Sequence, residues 1–158
     1  MTDSRNRVAR WITIGAAALS VAACSGSKDA PTQSTGSGGN NTPGSPVGSF
    51  SLSTVNAKSL PYTMYSDTAG YSVDVSAGTF SILSTGKYVA TITQRETILG
   101  HVSTYVDSTN GTWLLSTPAL IVFTNPADGT TQNATWDGSK LTMTDAGTAA
   151  TFVYAKLP

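Results

Sequence analysis

The sequence predicts an all-β fold: an antiparallel up-and-down meander closed into a barrel, behind an export signal and a flexible tether. Three observations lead there. After Val47 no apolar stripe repeats at helical spacing, and short runs of alternating polarity recur instead. Glycine-bearing dipeptides separate those runs at hairpin length. Before Val47 the composition shifts twice, from an apolar run to a Gly/Ser/Pro-rich stretch. This leaves residues 47–158, 112 of the 158, for one folded domain.

Residues 1–23 carry the marks of export. Arg5, Arg7 and Arg10 form a basic start, and Trp11 to Ala23 is a 13-residue apolar run. A bilayer span takes about 20 residues, so this run suits the core of a secretory signal. It ends in Val21-Ala22-Ala23-Cys24, which holds the single cysteine of the chain. These four residues, placed after an apolar run and before a polar stretch, resemble the lipobox of bacterial lipoproteins. The resemblance implies cleavage before Cys24, acylation of its sulfur, and anchoring of the mature protein to a membrane of the cell envelope. Ser25 follows the cysteine. By resemblance to sorting in two-membrane bacteria, a residue other than Asp there favours the outer membrane. A soluble exported protein cut near Ala23 is the alternative, and it would leave an unpaired thiol in an oxidising compartment. With one cysteine there is neither an internal disulfide nor a cysteine zinc site.

Residues 24–46 read as the lipidated cysteine and its linker. Apolar side chains are nearly absent, so nothing offsets the entropy of ordering, and disorder is expected. As a random coil the 22 residues after Cys24 would span about 26 Å. That is enough to hold a domain clear of a lipid surface.

The strands of the domain are predicted at 49–55, 71–76, 79–84, 87–95, 101–107, 111–116, 119–124, 131–136, 140–144 and 150–156, with 62–66 as a further candidate. Tyr71, Val73 and Val75 share one face, opposite Ser72, Asp74 and Ser76; Leu141 and Met143 oppose Lys140, Thr142 and Thr144. Residues 119–124 are apolar on both faces, which suits a strand covered on both sides. Thr85-Gly86, Asn110-Gly111, Asp128-Gly129 and Asp137-Gly138 are expected to turn with a positive φ, and Asp145-Ala146-Gly147 as a longer version. Turns this short join sequential antiparallel strands. About ten such strands should curl and close, which removes their edges.

A pattern of Gly, hydroxyl, aromatic, any residue, aliphatic occurs at Gly48–Leu52, Gly78–Ile82 and Gly111–Leu115. It suggests three strand starts, each with a bend at glycine and an aromatic plug at a barrel end. Gly48-Ser49-Phe50 resembles the G-x-W opening of lipocalins. Phe152-Val153-Tyr154-Ala155-Lys156 resembles their last strand, whose basic residue covers the opening aromatic. Phe50 stands where Trp is usual and Lys156 where Arg is usual. The resemblance covers 47–158, and it implies a lipocalin-like barrel of the kind that holds a small apolar ligand.

Composition narrows the function. Without Arg5, Arg7, Arg10 and Asp3 the mature chain keeps six basic and eight acidic residues, which excludes the basic footprint of a nucleic-acid binder. His101 is the single histidine and Glu96 the single glutamate, beside Arg95 as a surface pair. No nucleophile elbow, phosphate loop or metal-ligand spacing occurs. Asp128, Asp137 and Asp145 lie in turns, where bonding the turn backbone accounts for them. No catalytic residue, cofactor or metal is therefore expected. The candidates for lining an apolar cup are Phe80, Tyr88, Trp113, Phe123 and Trp136. Two functions follow: a membrane-anchored, monomeric carrier or sensor of a small apolar molecule, or a structural or protein-interaction module with a filled barrel. An internal cavity of roughly 300 Å³ or more separates them.

Overall fold

The computed structural model describes residues 43–158, and all of its regular structure is strand. Ten strands follow in order: β1 Gly48–Val55, β2 Lys58–Ser59, β3 Tyr62–Ser66, β4 Tyr71–Ile82, β5 Lys87–Ile98, β6 His101–Thr117, β7 Leu120–Thr124, β8 Thr131–Trp136, β9 Lys140–Thr144 and β10 Thr151–Lys156. From β4 to β10 each strand pairs antiparallel with the next. β10 returns to β1, and β1 closes on β4 through Gly48↔Ile82 to Ser51↔Thr79. The result is a closed, eight-stranded, up-and-down barrel. β2 and β3 lie outside the ring, β2 on the far end of β1 and β3 on the near end of β4, where those two strands part.

The core follows from side-chain alternation plus two bulges. In β1, Phe50 and Leu52 face inward. A register shift between Leu52 and Thr54 then inserts Ser53, so that Val55 rather than Thr54 is buried. In β4, a shift between Val75 and Ala77 has the same effect. Val73 and Val75 face inward before it, and Gly78, Phe80 and Ile82 after it. The two runs predicted at 71–76 and 79–84 are therefore one 12-residue strand, and the break in alternation is a change of phase at Ser76.

A second pair of predicted strands also fuses. Residues 101–107 and 111–116 belong to the single 17-residue β6, and no turn exists at Asn110-Gly111. Gly111 lies mid-strand opposite Tyr88, in a backbone conformation open to any residue. Its need for glycine is steric. A Cβ there would collide with the Thr124 carbonyl and come within 2.9 Å of Tyr88 Cε1. The repeated glycine pattern thus marks one strand start, at Gly48, and two mid-strand close approaches, at Gly78 and Gly111.

The other predicted turns hold. Gly86, Gly129 and Gly138 have positive φ, while in the 145–149 turn that role falls to Ala149, at φ 56°. The turn joining β5 to β6 is Leu99-Gly100, with φ 49° and 84°, the sign pattern of a type I′ hairpin. Asn56 and Ala57, at φ 51° and 61°, make a second such turn between β1 and β2.

The predicted signal at 1–23, Cys24 and most of the linker lie outside the described residues. The last linker residues, 43–46, do not hang free. Pro46 is buried, and the Gly44 and Ser45 carbonyls accept hydrogen bonds from the barrel. The docked chain thus begins a few residues before the predicted boundary at Val47.

Candidate functional site

Four of the five candidate ligand-lining residues are buried in the barrel interior: Phe80, Tyr88, Phe123 and Trp136 are each at most 5% exposed. They touch one another or neighbouring rings. Phe80 stacks on Tyr88 with centroids 5.4 Å apart and planes 12° from parallel. Phe123 lies 4.7 Å from Phe80 and 4.9 Å from Tyr88. Tyr154 meets Phe80 edge-on at 5.7 Å, and Phe50 meets Trp136 edge-on at 5.7 Å. These are preferred aromatic geometries at ordinary contact separations. β1, β4, β5, β7, β8 and β10 each supply a ring. β9 supplies Leu141, fully buried, and β6 supplies Gly111, which makes room for the Tyr88 ring. Side chains therefore occupy the interior at this level.

Burial governs the two interior phenols. It raises the Tyr154 hydroxyl above its usual range and raises Tyr88 as well, against a hydrogen bond with Thr109 that pulls the other way. Neither phenol ionises near neutrality. The inner face nevertheless carries a carboxylate: Asp107, opposite Ile92, accepts a hydrogen bond from Gln94 Nε2 at 3.3 Å.

Trp113 stands apart, partly exposed. Its Nε1–H donates to the Leu83 carbonyl at 2.9 Å, which ties β6 to the end of β4.

At the closure between β1 and β10, Trp136 Nε1–H donates to the Gly44 carbonyl at 2.6 Å, and Lys156 Nζ donates to the Ser45 carbonyl at 3.1 Å. Lys156 Nζ lies 5.4 Å from the centre of the Trp136 ring. The sequence reading set Lys156 over the Phe50 ring; the ring it covers is Trp136 instead. Phe50 is fully buried, with its ring perpendicular to that of Trp136. The Gly48 position admits the lysine stem, since a Cβ there would come within 2.8 Å of Lys156 Cε.

Beyond the ring, β3, β4, β5 and β6 continue as a four-stranded extension. Its inner face carries Tyr65, Tyr71 and Tyr105; the Tyr65 and Tyr71 rings lie 5.6 Å apart. Burial and a hydrogen bond to Glu96 push the Tyr71 hydroxyl up to about 12. Glu96 thus shares the inner face with Tyr71 and stands on the side of the sheet opposite its neighbour Arg95. Arg95 reaches across to Asp74 at 3.0 Å on the opposite face, where Thr63 Oγ1 also donates to Asp74 at 2.6 Å. His101 is exposed at the hairpin tip, opposite Ile98.

The turn aspartates serve their own turns. Asp137 Oδ1 accepts from the backbone N–H groups of Ser139 and Lys140, at 2.8 and 2.6 Å, which holds its carboxyl below the usual range. Asp128 and Asp145 bond Thr130 and Thr148 in the same way. Among the described residues no three His, Cys, Asp or Glu side chains gather where a metal could bind. An open groove at the β2 corner is lined by Ala57, Lys58, Ser59, Pro61, Tyr62 and Thr63, and by none of the five candidate aromatics.

Sequence reasoning missed the sheet extension, because two of its strands read as shorter runs. No protein-family model, curated protein or solved structure matches the chain.

Proposed function

We propose that this chain is a lipoprotein of the bacterial cell envelope, anchored through acylated Cys24, whose barrel acts as a protein-interaction module rather than as a carrier of a small apolar ligand. The observation that carries the second half is the occupied interior. The rings of Phe80, Tyr88, Phe123 and Trp136, offered by the sequence as a cup, spend their area on one another. What a partner could reach is the exposed extension of β3 to β6. The first half rests on the basic start, the 13-residue apolar run and Val21-Ala22-Ala23-Cys24. More than one acyl chain holds a protein durably on a bilayer, since each buried CH₂ contributes about 0.8 kcal/mol.

Cys24→Ser removes the sulfur to which lipid would attach. Cell fractionation should find the variant lost from the membrane or retained as precursor, and circular dichroism should still report a folded barrel. A wild-type mature N-terminus bearing an unmodified Cys24, or a variant bound as tightly as wild type, would remove the anchor from the account.

A further inference from the structure

The β5–β6 hairpin leaves one long sheet edge open. β6 pairs with β5 along His101–Thr112, but with β7 only from Thr112 onward. Residues 101–110 thus have a strand on one side and none on the other among the described residues. The direction of their backbone groups follows from one turn and one bond. Ile98 and His101 flank a two-residue turn, and the Trp113 N–H donates to the Gly86 carbonyl on the β5 side at 2.9 Å. Backbone groups alternate along a strand, so odd-numbered residues of β6 bond β5. Val102, Thr104, Val106, Ser108 and Asn110 point their N–H and C=O outward, with no strand there to receive them.

Open edges in proteins are usually blunted by lysine, proline, a bulge or a covering loop. Segment 101–110 contains no lysine and no proline, and its register with β5 is unbroken. Its one inward-pointing charge, Asp107, is engaged within the sheet, where Gln94 Nε2 donates to it at 3.3 Å. Val102 and Val106, 57% and 62% exposed, both stand on the outer face.

We propose that this edge pairs with the same edge of a second copy of the chain, β6 antiparallel to β6 about a two-fold axis at Val106. The inference goes beyond the interaction-module reading by naming the partner, and it rests on that reading only in this respect. The edge complements itself. A two-fold perpendicular to the sheet keeps each residue on its own face, so it sets even residues opposite even ones. Centring on Val106 places Val106 against Val106, Thr104 against Ser108, and Val102 against Asn110. This register uses all five outward residues, and about ten hydrogen bonds result if each gives one N–H and accepts at one C=O. A centre at Thr104 or Ser108 would run off the hairpin tip or into the segment already paired with β7.

Charge agrees. Asp107 is the one carboxylate of the segment. In this register it faces Tyr105 of the second copy rather than its own counterpart, so no like charges are opposed. The pairing would make one continuous sheet of β4, β5 and β6 from both copies. An interface built on a strand edge is small, which implies a reversible dimer with a dissociation constant in roughly the micromolar range or weaker.

The test uses the full chain in dodecyl maltoside micelles, with mass followed by sedimentation against concentration. Wild type should shift from monomer to dimer as concentration rises. Val106→Pro deletes an outward N–H and leaves the β5 ladder intact. Val106→Lys sets two cations on the axis. Either should weaken dimerisation at least tenfold while the thermal midpoint of dilute protein stays put, and Val106→Lys decides the matter if the proline variant misfolds. Val106→Cys should trap a covalent dimer on oxidation, above the background from Cys24. Ser51→Cys, on a strand paired on both sides, should not. Four results overturn the proposal: wild type monomeric at every concentration, both Val106 variants dimerising as wild type does, trapping no greater at position 106 than at 51, or an edge that binds an added extended peptide while the chain itself stays monomeric. Ligand release, which tests the filled barrel, is a separate readout that none of these outcomes moves.

Discussion

Gly111 shows how one residue type can be required for two different physical reasons. Next to Asn110 it has the sequence signature of a primed turn, where a positive φ is needed. In the barrel it is needed because the Thr124 carbonyl and the Tyr88 ring occupy the space of a side chain. The two reasons make opposite predictions for asparagine, which tolerates a left-handed turn but not a blocked site. Gly111→Asn and Gly111→Ala should each destabilise the domain by about 3 kcal/mol, since β6 and β7 must separate to admit even a Cβ. Chemical denaturation would settle it; an asparagine variant close to wild type would restore the turn. Asp137 is legible from the sequence alone, and the structure supplies its partners. Its carboxyl is held below the usual range by the backbone N–H groups of Ser139 and Lys140. A lowered folded value means the carboxylate stabilises the fold above the unfolded value and loses that contribution as pH falls through the folded one. The denaturation midpoint of wild type should therefore drop between neutral pH and about pH 3 by more than that of Asp137→Ala. Equal drops would show that the turn carboxylate is a spectator.

At the level of elements, the strands and most turns were legible because period-two alternation and Asp-Gly or Thr-Gly pairs act locally. What was not legible depends on partners distant in sequence. A bulge is invisible without the opposing strand, so the phase change at Ser76 reads as the end of one strand and the start of another. The polar Ser108-Thr109-Asn110-Gly111 stretch reads as a turn, because nothing local reveals that β5 pairs along its whole length. The same non-locality hid the free edge of β6 and the tyrosine-bearing inner face. Leu99 is the converse case: a poor turn residue that tertiary structure imposes. Its φ of 49° is left-handed, and its side chain is 76% exposed. Such a conformation costs an L-residue roughly 1–2 kcal/mol. Leu99→Asn, creating Asn-Gly in the same turn, should stabilise the domain by about 0.5–1 kcal/mol in thermal denaturation. A loss of stability would mean that Leu99 packs usefully on Gly70, which lies beside it.

For the whole molecule, closure and filling go together. Eight strands enclose an interior that side chains can fill, or that one small ligand can occupy. Here six strands contribute a ring and the rings pack at contact distance. A ligand at that level would have to displace aromatic surface already buried. Phe80, Tyr88, Phe123 and Trp136, which the sequence offered as a cup, lie in the buried core cluster, and no linear pattern encodes their mutual orientation. The aromatic closure by Lys156, Trp136 and residues 44–45 seals the join between the first and last strands. The most direct test is purification of the full chain under native conditions, followed by denaturation and mass spectrometry of whatever is released. The filled barrel predicts the protein with its acyl groups on Cys24 and no stoichiometric small molecule. Release of one apolar compound per chain would contradict the account and return the barrel to the carriers.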